Sequence, residues 1–536
     1  MKKVIYAIII CLLATGCVNE NPKGQIEESY TSATDVEHNL VATLYNYIGG
    51  NAESQGLMGT PRGVYDFNSL TTDEQIIPVR GGDWYDGGFW QRLYYHSWTA
   101  SESPLQNTWD YLYKVVMLCN RSLYFIDANR NVLTTDEYKR FSAEVRAIRA
   151  MFYFYLMDMY GRVPLVTAYD IPLAKVKQNE RSEVFKFCMS EFNDVLPFLS
   201  EENSNYEGLH YGRLTKPVVW FLMAKLYLNA EVYLDDVWTD AVHPSGSLMQ
   251  FDVDGEQLNA WQAAVVYCDK ITACGYELER NAARNFAIHN ETSKENIFTI
   301  PMNKILYANQ FWYLFRSRHY AHGSALGLDA ENGASATLST VNAFGYGTKQ
   351  VDSRFALSFY ADTVKVNGKV VCLDDGKPLV YHPLEISSVT TGSPYEQTAG
   401  ARMKKYEADA TAYEAGKLQD NDIVLYRYAD VLLMKAEALV RDGKDGSPYL
   451  NQVRSRANMP LCECTLENIL RERLLELVWE GWRRNDLVRY GLFHKLSEEQ
   501  HNVVDETDAH TIVFPIPATT LDLNKQLTQN KGYDIG

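Results

Sequence analysis

The sequence predicts a mainly α-helical protein of stacked tetratricopeptide-like helix pairs, interrupted by long irregular loop insertions. Three observations predict it. Apolar residues recur at helical spacing over long segments. Those segments open and close on capping signals. Two stretches, about 50–108 and 300–420, break the pattern; the first is rich in Gly and aromatics, the second in Gly, Ser, Thr and Asp.

Taken in order, Thr134-Thr135-Asp136-Glu137 reads as a capping box. It opens a helix in which Val145, Ile148, Phe152, Tyr155 and Met159 share a stripe, and Gly161 and Pro164 stop it. A second helix runs from Thr215 through Val218 to Leu234, and a third from Trp261 to Cys274. The fourth covers Tyr428 to Arg441 before Gly443, and the fifth Leu466 to Tyr490 before Gly491. Several are followed by a partner of similar length, as in helical repeats, although no strict repeat signature is present. Long irregular insertions on such a scaffold are where function usually sits.

With 536 residues, 46% of them hydrophobic, the chain is long enough to bury a large core. A net charge of -17 argues against nucleic acid or an anionic lipid surface as the main partner. The 36 Tyr and 10 Trp carry an apolar ring with a polar tip, which suits amphipathic ligands; most are assigned to the core and a handful to binding. The cysteines beyond Cys17 have no regular spacing and form no disulfide framework. The histidines are scattered, and the Gly-rich stretches lack the Lys-Ser/Thr of a phosphate loop. No metal and no cofactor are expected.

At the N-terminus, basic Lys2 and Lys3 precede an apolar run from Val4 to Ala14, too short to span a bilayer. Ala14-Thr15-Gly16-Cys17 follows and looks like a bacterial lipobox, with Leu13 one position further from the cysteine than usual. The expected organisation is a lipoprotein signal peptide over 1–16, lipidation at Cys17, a polar tether over 17–30 and a single domain over 31–536. No transmembrane helix is expected.

Five segments in order bring a family into view: Ala143–Ala150 continuing to Tyr160-Gly-Arg-Val-Pro-Leu165; Gly212-Arg-Leu-Thr-Lys216; Tyr426–Ala438; Glu480-Gly-Trp-Arg-Arg-Asn-Asp-Leu-Val-Arg-Tyr-Gly491; and Phe514-Pro-Ile-Pro517 with Gln529-Asn-Lys-Gly-Tyr533. Together they resemble the SusD/RagB outer-membrane lipoproteins, and the resemblance covers nearly the whole mature chain. It implies a SusD-like helical scaffold on the cell surface, without catalytic activity. The implied task is to capture an oligosaccharide or polysaccharide and deliver it to a SusC-like TonB-dependent transporter. Segment 50–108 matches the family only loosely.

Glu476, Glu480, Arg483, Asp486 and Arg489 follow at spacings that place them on one helix face, a charged ladder suited to packing rather than catalysis. Ligand candidates come from the chemistry of a sugar ring, whose apolar face wants a flat aromatic and whose hydroxyls want planar polar groups. Arg80-Gly-Gly-Asp-Trp-Tyr-Asp-Gly-Gly-Phe-Trp90 offers Trp84, Tyr85 and Trp90 between paired glycines, with Arg80, Asp83 and Asp86 beside them. Upstream, Arg62, Asp66, Asn68 and Asp73 extend the polar set. A second cluster holds Trp312 and Tyr313 with Arg316, Arg318 and Tyr320, and a third Tyr395 and Arg402. The plain alternative for each aromatic is a loop anchor. Two other functions stay open: a secreted glycoside hydrolase, which needs two carboxylates across a cleft, and a helical-repeat scaffold that binds proteins or captures peptides.

Overall fold

The computed structural model describes residues 29–51, 54–307, 309–311, 316–495 and 508–533. Cys17, the leader, most of the tether, Trp312 and Tyr313 lie outside the described residues. The elements used below are α1 (Val64–Ser69), β1 (Gln75–Ile76), α2 (Phe89–Tyr94), α3 (Ser103–Ala128), α4 (Thr135–Tyr160), α5 (Arg181–Val195), α6 (Lys216–Leu228), α7 (Ala260–Ala273), β2 (Asn296–Ile300), β3 (Ser335–Ala336), α8 (Tyr320–Leu326), β4 (Lys365–Val366), β5 (Lys369–Val370), β6 (Ile423–Arg427), α9 (Tyr428–Arg441), α10 (Ser447–Arg456), α11 (Leu466–Leu477) and α12 (Arg483–Arg489).

The architecture is mainly helical, as the periodicity predicts. From α3 to α7 each helix packs on the next; α7 then meets α9, and α9 meets α10 and α11. This is the serial contact pattern of stacked helix pairs. The capping box of α4 is present: Thr134 Oγ1 accepts from the Glu137 N–H at 3.2 Å, and Glu137 Oε2 accepts from the Thr134 N–H at 2.8 Å. Gly161 ends the helix with φ +66°, which the absence of a Cβ permits. One contiguous apolar core reaches from Val36 to Leu527.

Two expectations need correction. Helix α3 was not singled out, and its first turn falls inside the stretch assigned to an irregular insertion. Its signal was present, since Leu105, Trp109, Leu112, Val116 and Cys119 fall on one buried stripe. The expected helix from Leu466 to Tyr490 is broken between Leu477 and Arg483. Trp479 has φ +69° and Gly481 φ +74°, neither of which an α-helix accepts. The break lets the Trp479 ring enter the core and donate to the Ser358 carbonyl at 3.0 Å.

The charged ladder therefore does not run along one helix; its members point to different partners, all buried. Arg427, at the end of β6, reaches Glu295 at 2.7 Å, Glu476 at 2.6 Å and Glu480 at 2.7 Å. Arg354 binds Glu472 at 2.6 Å, and Lys405 pairs with Glu480. Asp486 lies 2.8 Å from both Arg473 and Arg489. Arg354 and Lys405 belong to the 300–420 insertion, so these pairs fasten it to the helices. Its ends are also clamped together, because β2 and β6 pair antiparallel, with Ile300 opposite Ile423.

Candidate functional site

The two irregular regions meet each other. Strand β1 pairs antiparallel with β3, Gln75 opposite Ala336. Asp66, on the buried helix α1, receives two hydrogen bonds from Arg316 at 2.7 and 2.6 Å. Arg80 donates to Ser335 Oγ at 2.8 Å and to the Ala399 carbonyl at 3.0 Å. A buried guanidinium holds such a junction because its donors satisfy several carbonyls at once.

An open cavity of about 460 Å³ lies over this junction. Arg62, Asp83, Trp84, Asp86 and Trp90 line it from the first region, and Arg316, Tyr320 and Glu331 from the second. Trp84 is half-buried; its ring nitrogen donates to the Glu331 carbonyl at 2.9 Å, and its ring centroid lies 5.9 Å from that of Trp90. Asp86 accepts from both Arg62 and the Trp90 ring nitrogen, each at 2.7 Å. The Arg62 guanidinium covers Trp90, 5.2 Å from its ring centroid. Tyr320 is 48% exposed and donates to Asp83 at 3.3 Å. Burial raises the Glu331 carboxyl above its ordinary range.

Backbone strain converges here. Arg62, Trp84 and Asp86 hold φ of +60°, +64° and +42°. A non-glycine residue in this region costs on the order of 1–3 kcal/mol, and such residues cluster where a side chain must be aimed. Arg62 is paired with Asp86 and Arg316 with Asp66, which leaves a partly exposed aromatic surface ringed by donors and acceptors. That surface suits a neutral polyhydroxylated ligand.

The structure divides the sequence candidates. It brings Arg62, Asp83, Trp84 and Trp90 together at the cavity and leaves Tyr85, 61% exposed, on the outside of the same loop. Trp90 is not loop-borne as expected: it sits in α2, 2% exposed, with its ring under Arg62, so it supports the wall. Arg80 and Arg402 are buried inside the fold; Arg402 donates to the Ser317 and Gln397 carbonyls at 3.0 Å. Asp66 is consumed by Arg316 and by the Arg62 N–H, and Asp73 by Arg483 at 2.6 and 2.7 Å. The Tyr395 ring lies tilted against His382, centroids 4.2 Å apart, away from the cavity lining. These five hold loops in place rather than face the cavity, because pairing satisfies a buried charge and removes it from the surface. Glu331 was missed, and no local pattern marks it.

Gly333 is the floor under Trp84: a Cβ there would lie 2.6 Å from the ring. Gly333→Ala should displace Trp84 without deleting it. We expect a several-fold loss of ligand affinity, read by calorimetry, with a circular-dichroism spectrum like that of the wild type. Unchanged affinity would show that the Trp84 position is immaterial.

The fold and this cleft define a class: a mainly helical scaffold whose loops build an open cleft. Two family models match successive parts of the chain. One described as "Starch-binding associating with outer membrane" covers residues 56–228, and one described as "SusD family" covers 347–533. The chain belongs to the SusD family. It is 24% identical to the starch-binding protein SusD of Bacteroides thetaiotaomicron, over 99% of each chain. It is 32% identical to the SusD-like protein P38 of Formosa agariphila, over 26% of this chain and 30% of that one. Among solved structures, a laminarin-binding SusD-like protein superposes with a TM-score of 0.71 at 20% identity, covering 94% of this chain and 100% of that one. Surface glycan-binding protein A from B. thetaiotaomicron, in complex with laminarihexaose, superposes with a TM-score of 0.70 at 18% identity, covering 93% and 100%. These likenesses establish the fold.

Proposed function

We propose that this protein captures a neutral glycan at the outer cell surface and passes it to a SusC-like TonB-dependent transporter. The reading rests on the cavity where half-buried Trp84 and exposed Tyr320 are ringed by Arg62, Asp83 and Asp86. Rings of this kind suit the apolar face of a sugar, and the fixed polar groups suit its hydroxyls. Relatives named for starch, laminarin and glycan binding support it. The soluble mature chain should be retarded in native gels containing neutral polysaccharides. Migration unaffected by every polysaccharide in a broad panel would refute glycan capture.

A hydrolase is the second reading, favoured by the raised Glu331 carboxyl in the same cavity as Asp83. Glycoside hydrolysis pairs such an acid with a free carboxylate across the scissile bond. Here Asp83 is engaged by Tyr320 and Asp86 by Arg62 and Trp90. Prolonged incubation with bound polysaccharide should release no reducing ends.

The proposed organisation keeps 1–16 as leader, 17–30 as tether and 31–536 as one domain, anchored through acylated Cys17. Among the described residues no helix is long and apolar enough to cross a membrane. Multiple acyl chains hold a domain stably where one does not. Cys17→Ala should move the protein to the soluble fraction. The tagged wild type, extracted in mild detergent, should bring down an outer-membrane barrel. Membrane association unchanged in Cys17→Ala, or recovery of the wild type only as a free monomer, would count against the anchor or the transporter respectively.

A further inference from the structure

A second cavity, about 1090 Å³, opens beside the first, and Asp83 and Tyr320 line both. The Tyr320 to Asp83 hydrogen bond thus stands at the boundary between them. The floor of the second cavity is built from the small residues Ala321, Ser324 and Ala325 of α8. Its outer wall is the hairpin of β4 and β5, in which Lys365 faces Val370 and Val366 faces Lys369. Isolated two-stranded hairpins are marginal in water. This one is braced: Val364, Val371, Leu379 and Tyr381 form a small apolar core of their own, with Ala321 of α8 packed against it.

Where it meets the cavity the wall is mixed, with polar Asn367, Lys369, Asp374 and Asp375 beside apolar Val366, Val370 and Leu373. His319 adds a donor. Its Nδ1 accepts from the Ala321 N–H at 3.1 Å, which puts the ring proton on Nε2. Burial, with Arg402 and Arg80 nearby, holds this imidazole down at about 4, so it stays uncharged at neutral pH. Volumes of roughly 300–1,000 Å³ already accommodate a drug-sized ligand. The two cavities together exceed what one or two sugar rings would fill.

We infer that the second cavity is an extension subsite for the same glycan, so that the ligand is a chain crossing over Tyr320 and the hairpin wall selects for length. The inference rests on the glycan-capture reading above. It assigns to Lys365–Val370 and to α8 a role in choosing polymers over short oligosaccharides.

The test uses malto- and laminari-oligosaccharides of graded length, together with the corresponding polysaccharides, on the soluble mature chain. For the series that binds, wild-type affinity should rise at least tenfold from disaccharide to hexasaccharide. Ser324→Arg places a long side chain on the exposed cavity floor, where it does not disturb the core. It should abolish the gain for the hexasaccharide and leave disaccharide affinity unchanged. Exposed Cys372, which lines only the second cavity, gives a readout that needs no variant. Saturating hexasaccharide should slow its alkylation by iodoacetamide at least fivefold, and disaccharide should not. Equal affinities across the series, or a Cys372 rate indifferent to bound hexasaccharide, would overturn the extension while leaving capture intact. A wild type that binds neither the oligosaccharides nor the polysaccharides would overturn the capture reading itself, and the extension with it.

Discussion

Asp486→Ala should lose roughly 3–5 kcal/mol of stability, because removing one member of a buried ion network strands its partners. Asp486 is 1% exposed and lies 2.8 Å from both Arg473 and Arg489. Burial alone would raise its carboxyl, but Arg473 and Arg489 outweigh that and hold it well below the usual range. Unfolding entropy near 2.1 cal/mol/K per residue converts the loss into a fall of about 3–5 °C in Tm for a chain of this size. Glycan binding at low temperature should persist, since the network is not part of the cavity. Intact stability with binding abolished would mean that this face is functional.

The same network sets the acid limit. Burial raises Glu437, yet Arg489 and Arg441 together bring it down to about 2. A carboxylate whose folded value is depressed stabilises the fold above its unfolded value, about 4.3. That contribution is lost as the pH falls from there towards 2. The part of the thermal stability that Glu437 contributes should therefore hold steady above about pH 5 and decline below it, and Glu437→Gln should flatten that acid limb of the melting profile.

Trp84→Ala should weaken glycan binding by about fivefold. Aromatic contacts contribute on the order of 1 kcal/mol, and each 1.4 kcal/mol is a factor of ten. Trp84 also supplies the ring that the strained loop aims at the cavity, so its removal takes both the contact and its placement. The fold should survive, because this ring is only partly buried. Trp90→Ala is a different experiment. That ring is 2% exposed, packs on Phe89 at 4.9 Å and lies beneath Arg62. Its loss should cost about 3–5 kcal/mol, as for a large-to-small core change, and should release Arg62 and Asp86 from their fixed positions. Calorimetry and thermal melts on the two single variants separate contact from support. If Trp84→Ala binds as well as the wild type, the ligand sits elsewhere and the unassigned Trp312–Tyr313 cluster becomes the first alternative.

The sequence by itself determined the helical class, the capping box of α4 and the span of α9, and it drew attention to the two regions that hold the candidate site. Helical order follows from contacts three and four residues apart, and these are written in the local pattern. The sequence also placed Trp84, Arg62 and Asp83 among the candidates, because a bulky ring between glycines is visible locally. Only the tertiary structure decided which polar groups face the cavity. Arg80 and Arg62 look alike in sequence, yet Arg80 spends its donors on carbonyls more than 250 residues away, while Arg62 stays at the surface with Asp86. Asp66 is withdrawn by Arg316 across 250 positions, and Trp84 is seated by the carbonyl of Glu331 across 247. The break at Trp479 is only partly of this kind: Gly481 is a local helix-ending signal, and burying the indole in a distant core fixes where the chain turns. Contacts between residues this far apart depend on how the two irregular regions pack together, and no local spacing encodes that.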